Sequence, residues 1–137
     1  MRRVVCDVGV VISGLLSGDG PPGKLLDAWR DGAFDLIVSP LWLAELARVL
    51  ARPKLRSYVD ADSADELVTA IRVQALPVAD PPPKPGLTPD PGDDYLVGLA
   101  RAAGADYLVS GDAHLTGLID PVPPVLTPRA FLDLLGS

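Results

Sequence analysis

The apolar positions of this chain change period repeatedly, and each change marks an element. Arg3-Val4-Val5-Cys6-Asp7 is a short β-branched run ending in an acid, the pattern of a strand covered on both faces. Apolar residues continue through Val8-Gly9-Val10-Val11-Ile12, where Gly9 is expected to turn the backbone sharply past the strand. A loop over residues 17–23 leads to an amphipathic helix over 24–30, with Leu25, Leu26, Ala28 and Trp29 inward. Phe34-Asp35-Leu36-Ile37-Val38 reads as the second strand. Ser39 and Pro40 then open a helix over 41–51 with a predicted apolar stripe of Leu43, Ala44, Leu46, Ala47 and Leu50. Glu45 lies one position off that stripe.

The second half continues the alternation. Asp60-Ala61-Asp62-Ser63 caps a helix reaching about residue 75, with Leu67, Val68 and Ile71 as its buried row. Leu76-Pro77-Val78-Ala79 is a short third strand, and the proline-rich stretch 80–86 is a stiff, extended connector. Asp90-Pro91-Gly92 is turn chemistry, and Asp93 and Asp94 enter the first turn of a helix that Gly104 ends. Asp106-Tyr107-Leu108-Val109-Ser110 is a covered strand followed by Gly111-Asp112. A short helix over 113–118, a proline-bearing edge strand over 121–126 and a final helix over 129–135 complete the chain. The order βαβααβαβαβα predicts one domain over 1–137, a three-layer α/β/α sandwich around a central, mostly parallel sheet.

Composition narrows the chemistry. With 48% hydrophobic and 22% charged residues in 137, the chain can bury a proper core. A single cysteine, Cys6, excludes an internal disulfide framework and a cysteine-based zinc site, and fits a reducing compartment. One histidine, His114, excludes a histidine-rich metal site within one chain. Arg2-Arg3 leads directly into a strand, and no apolar run reaches the length of a membrane span, so a cytoplasmic protein without membrane attachment is expected. A net charge of −6 argues against a general nucleic-acid coat. Arg48, Arg52, Lys54 and Arg56 form the one basic cluster. Such a run is usually a solvated face, but here it is also the segment suited to phosphates.

The acids carry more. Taken singly, Asp93, Asp94 and Asp112 are ordinary helix-capping residues, and Glu45 could pair with Arg48 or Arg52. Asp7 is harder to dismiss, because its apolar surroundings draw it inward and a buried carboxylate must be paired or bind a metal. Asp7, Asp112 and the Asp93/Asp94 pair fall at strand C-termini or on the helices that follow, and Glu45 lies near the start of its helix. Right-handed crossovers bring such positions to one edge of a parallel sheet. Clustered carboxylates repel unless a cation neutralises them, and hard oxygen donors suit Mg²⁺ or Mn²⁺. Such a centre can activate water for phosphodiester hydrolysis.

The ordered set of motifs resembles the PIN-domain ribonucleases, and within them the toxin components of toxin–antitoxin systems (VapC-like). It comprises Val4-Val5-Cys6-Asp7, Ser39-Pro40-Leu41-Trp42-Leu43-Ala44-Glu45, Arg52-Pro53-Lys54-Leu55 and Asp90-Pro91-Gly92-Asp93-Asp94-Tyr95-Leu96. Ala105 to Asp112 and Val125-Leu126-Thr127-Pro128 continue it, so that it covers essentially the whole chain. The resemblance implies a Mg²⁺- or Mn²⁺-dependent endoribonuclease with Asp7, Glu45, Asp94 and Asp112 as catalytic acids. Asp7, Asp93, Asp94 and Asp112 would hold metal, Ser110 would support the site by hydrogen bonding, and Arg48, Arg52, Lys54 and Arg56 would meet RNA. It also implies a cognate antitoxin and a homodimer or higher oligomer, to which exposed parts of Trp29 or Trp42 could contribute.

One departure stands out: relatives usually carry a polar pair after the first acid, where this chain has Val8-Gly9. That favours a second reading, a catalytically weak PIN-fold binding protein, while the intact acids oppose it. His114 sits where relatives often carry another acid, and reads as incidental. A receiver-type phosphotransfer domain also places Asp after strands, but needs a lysine at a late strand end, and none follows Lys84.

Overall fold

Five short strands, β1 (Arg3–Cys6), β2 (Asp35–Val38), β3 (Leu76–Pro77), β4 (Tyr107–Val109) and β5 (Val125–Leu126), form one sheet in the order β3-β2-β1-β4-β5. The computed structural model describes residues 1–136. Every pairing is parallel: Val4 is in register with Leu36 on one side and Tyr107 on the other, Val38 with Pro77, and Leu108 with Val125. The predicted α/β/α architecture is therefore present, with eight α-helices among the described residues: α1 (Val8–Leu16), α2 (Pro21–Arg30), α3 (Pro40–Leu50), α4 (Pro53–Arg56), α5 (Ala61–Gln74), α6 (Asp94–Ala102), α7 (Ala113–Thr116) and α8 (Pro128–Leu135).

Topology decides where a site can form. The chain starts on the central strand β1, moves outward through β2 to β3, then crosses back to β4 and β5. The reversal lies between β1 and β4, the switch point at which parallel sheets open a crevice beyond their strand ends. Asp7 follows β1 there, and Ser110, Gly111 and Asp112 follow β4.

The stretch after Asp7 departs from expectation. Gly9 does not turn the chain; it is the second residue of α1, and Asp7 is the N-cap, its side chain accepting from Gly9 N at 3.1 Å. The β-branched run disguises this helix. It is helical because Val8, Val10, Val11, Ile12 and Gly14 are buried, leaving backbone groups that only internal hydrogen bonds can satisfy. Gly14 permits its contact with α2: a Cβ there would stand 2.6 Å from Leu26 Cδ1 and 2.9 Å from the Pro22 carbonyl. α2 itself begins at Pro21 rather than residue 24, because prolines suit the first helical positions.

Two further expectations are corrected. The buried residues of α3 are Trp42 and Leu46, while Ala44 and Ala47 are exposed. Trp29 and Trp42 are 1% and 0% exposed, so neither offers a surface for subunit pairing. Trp42 instead joins helix to sheet, its indole Nε1 donating to the Cys6 carbonyl at 2.7 Å. Phe131 of α8 closes the core edge-on against Phe34, with ring centroids 5.1 Å apart. No helix is long and apolar enough to cross a membrane among the described residues.

Candidate active site

Asp7 is held at both carboxylate oxygens. Oδ1 accepts from Gly9 N, and Oδ2 accepts from the Ser110 hydroxyl at 2.9 Å, across the β1/β4 switch point. Ser110 is fully buried, and its Oγ also accepts from Asp112 N at 3.0 Å. One hydroxyl thus ties the Asp7 carboxylate to the backbone of Asp112, across neighbouring strands. Asp112 caps α7, its Oδ1 accepting from His114 N at 2.8 Å, and His114 Nδ1 lies 3.3 Å from the same oxygen. Asp7 and Asp112 line a cleft of about 320 Å³ that extends along Gly9, Val10 and Ser13 to Pro22 and Pro128.

Asp93 and Asp94 part company. Asp93 ends the 3₁₀ turn Pro91–Asp93 and is the N-cap of α6; its Oδ2 is buried with no hydrogen-bond partner. Burial, and then the charges of Asp7, Asp90, Asp112 and Glu45, push the Asp93 carboxyl up to about 6. The acids that raise it include three of those predicted from sequence, so Asp93 shares their field. Asp94 serves the loop before α6. Its Oδ1 accepts from Thr88 N at 2.7 Å and Thr88 Oγ1 at 2.9 Å, and its Oδ2 accepts from Gly86 N at 3.0 Å. Burial works against its ionisation, but these Thr88 and Gly86 bonds outweigh it and hold its carboxyl below the ordinary range. Asp94 thus fastens the loop before α6 through both carboxylate oxygens, while Asp93 lies in the field of Asp7, Asp112 and Glu45.

Glu45 reaches the same acids from α3. It bonds neither Arg48 nor Arg52; its Oε2 accepts from the Tyr95 hydroxyl of α6. The start of α3 is fixed by Ser39 Oγ, which accepts from Trp42 N at 3.3 Å, and by Asp80 Oδ2, which accepts from Leu41 N at 2.9 Å. Asp80 Oδ1 is buried without a partner, and its charge, like those of Glu45 and Asp7, bears on Tyr95. Burial first, then the bond to Glu45, drives the Tyr95 hydroxyl far above the ordinary phenol range, so it stays a donor. Sequence reasoning missed Tyr95 and Asp80. Asp80 opens a stretch read as a connector, and the link from Tyr95 to Glu45 spans 50 positions, which no local pattern reports.

Arg48, Arg52, Lys54 and Arg56 are all exposed. Arg48 stands one turn beyond Glu45, about 4.5 Å along the helix axis. The cluster then passes through the N-cap and turns of α4, and Arg56 lines a groove of about 500 Å³ with Leu50, Val59 and Val68.

The donor set is all oxygen, matching hard divalent cations. Asp93 Oδ2 is buried and unbonded, and burial and the neighbouring acids raise its carboxyl. Among the described residues, no three His, Cys, Asp or Glu side chains already stand as a group that could hold a metal ion. The residues fit a cation in chemistry and in placement on one sheet edge, with Asp93 able to gain from its charge.

The family described as PIN domain matches residues 3–114, and the chain belongs to it; the fold is of nuclease type. Uncharacterized protein MJ1680 of Methanocaldococcus jannaschii is 29% identical over 119 residues, covering 86% of this chain and 76% of that protein. The crystal structure of PAE2754 from Pyrobaculum aerophilum resembles it with a TM-score of 0.65 over 98% of this chain and 90% of that one. At 15% identity that likeness concerns the fold.

Proposed function

We propose that this chain is a Mg²⁺- or Mn²⁺-dependent endoribonuclease, the toxin of a toxin–antitoxin pair, held in check by a cognate antitoxin and working as a homodimer or higher oligomer in the cytoplasm. The observation that carries the metal-dependent reading is the buried, unpartnered Oδ2 of Asp93 beside the charges of Asp7, Asp112 and Glu45. The metal ligands are Asp7, Asp93 and Asp112, with Glu45 placed to hold metal or water. A divalent cation bound there supplies a lowered pKa for water and neutralises charge on the phosphodiester. Ser110 holds Asp7 and Asp112 at fixed spacing. The exposed basic cluster supplies phosphate contacts that position a strand without reading its bases.

The second reading, a weakly catalytic binding protein, rested on Val8-Gly9 in place of a polar pair. In this chain the Gly9 amide and the Ser110 hydroxyl orient both oxygens of Asp7, work that a polar side chain after the acid would otherwise share. That weighs against lost activity. The test is cleavage of a mixed single-stranded RNA pool with Mn²⁺, Mg²⁺ or EDTA, comparing wild type with Asp7→Asn, Asp93→Asn and Asp112→Asn. Metal-dependent cutting lost in all three supports the nuclease. A folded wild type that neither cuts nor binds metal would establish the binding protein instead.

A further inference from the structure

Tyr95 is not an acid, yet its hydroxyl donates to one of them, Oε2 of Glu45. The two residues lie on helices that lean on different neighbours: α3 packs on α1 and α4, and α6 packs on β1 and β4. Their bond therefore links two acid-bearing helices directly, since Asp93 caps α6 two residues before Tyr95. The start of α3 is already fastened by Ser39 and Asp80. What remains free is the Glu45 side chain itself, whose rotamers would have to be frozen whenever it engaged a cation or water. The Tyr95 bond freezes them beforehand. It engages Oε2 and leaves Oε1 unbonded by it. The half-buried ring packs against the core.

We propose that Tyr95 is a positioning residue that pins the Glu45 carboxylate in the acidic crevice, an inference that rests on the metal-dependent reading of that crevice. A ring that merely filled space would not need its hydroxyl, so Tyr95→Phe separates the two roles.

The experiment is a Mn²⁺ titration by calorimetry on wild type, Tyr95→Phe, Glu45→Ala and the double variant. Melting by circular dichroism checks that each is folded. Tyr95→Phe should weaken Mn²⁺ binding on the order of 10- to 100-fold, the usual cost of losing a partner that orients a ligand. In the Glu45→Ala background the same change should add almost nothing, because the hydroxyl then has nothing to hold. In steady-state cleavage, Tyr95→Phe should lower kcat while leaving KM for RNA unchanged. Equal losses in both backgrounds would overturn the proposal, since Tyr95 would then act through something else. Unchanged Mn²⁺ affinity in Tyr95→Phe would overturn it while the metal-dependent reading stood. A wild type that binds no Mn²⁺ would remove both.

Discussion

Asp93 and Asp94 are neighbours in sequence, the last residue of a 3₁₀ turn and the first of α6, but their carboxylates meet different partners. Asp94 accepts hydrogen bonds from Gly86 and Thr88 and fastens the incoming loop, whereas Asp93 keeps a buried oxygen with no partner in the field of Asp7, Asp112 and Glu45. The first is satisfied without a ligand; the second is not. Asparagine at each position should therefore have opposite consequences. Asp94→Asn should lower the melting temperature, because one carbonyl oxygen cannot replace two carboxylate oxygens, and should leave Mn²⁺ affinity within a few-fold of wild type. Asp93→Asn should abolish tight Mn²⁺ binding and raise the melting temperature of the metal-free protein. Paired melting and calorimetry on the two variants measure both effects.

The raised carboxyl of Asp93 fixes a pH dependence. Its folded pKa, about 6, lies above its unfolded value, so its contribution to stability is fully present below about pH 4 and is lost as pH rises through 6. The stability gap between Asp93→Asn and wild type should open across that window. It should reach on the order of 1–2 kcal/mol by pH 8, after discounting for solvent screening of a partly exposed group. Protons compete with the cation for the same oxygens, so Mn²⁺ affinity should fall as pH drops below about 6. Denaturant melts and Mn²⁺ titrations at pH 5, 6, 7 and 8 follow both trends.

Ser110→Ala should affect fold and site together. It removes the donor to Asp7 Oδ2 and the acceptor for Asp112 N at a fully buried position. The expected cost is about 1–3 kcal/mol in urea unfolding, with a 10- to 100-fold loss of Mn²⁺ affinity on the same order as other orienting partners.

The basic cluster should act on RNA affinity and leave Mn²⁺ affinity unchanged. Each phosphate contact removed should reduce the slope of log affinity against log salt by roughly 0.7 for a single strand. Lys54→Ala with Arg56→Ala should therefore flatten that slope by up to about 1.4. Fluorescence anisotropy with a labelled RNA in EDTA, from low to moderate salt, reads the slope without cleavage.

Much of this architecture was legible because parallel sheets write it plainly. The runs at Val4–Cys6, Leu36–Val38 and Leu108–Val109 are uniformly apolar and end in Asp7, Ser39 and Ser110, which places the crevice. α1 was hidden, since its Val and Ile residues follow β1 with no break in hydrophobicity and only the Asp7 cap marks the change. Which of Asp93 and Asp94 faces the other acids was also beyond the sequence. The choice depends on a 3₁₀ turn that rotates one carboxylate inward, and on Gly86 and Thr88 arriving to take the other. Tyr95 and Asp80 joined the site only through contacts 50 and 39 positions away.

The most direct measurement is Mn²⁺-dependent cleavage of single-stranded RNA by wild type and by Asp93→Asn, with Asp94→Asn and EDTA as controls. Metal-dependent cleavage through Asp93 predicts cutting by wild type and, at reduced stability, by Asp94→Asn, with none from folded Asp93→Asn or in EDTA. Cutting by Asp93→Asn at the wild-type rate, or by wild type in EDTA, would contradict it.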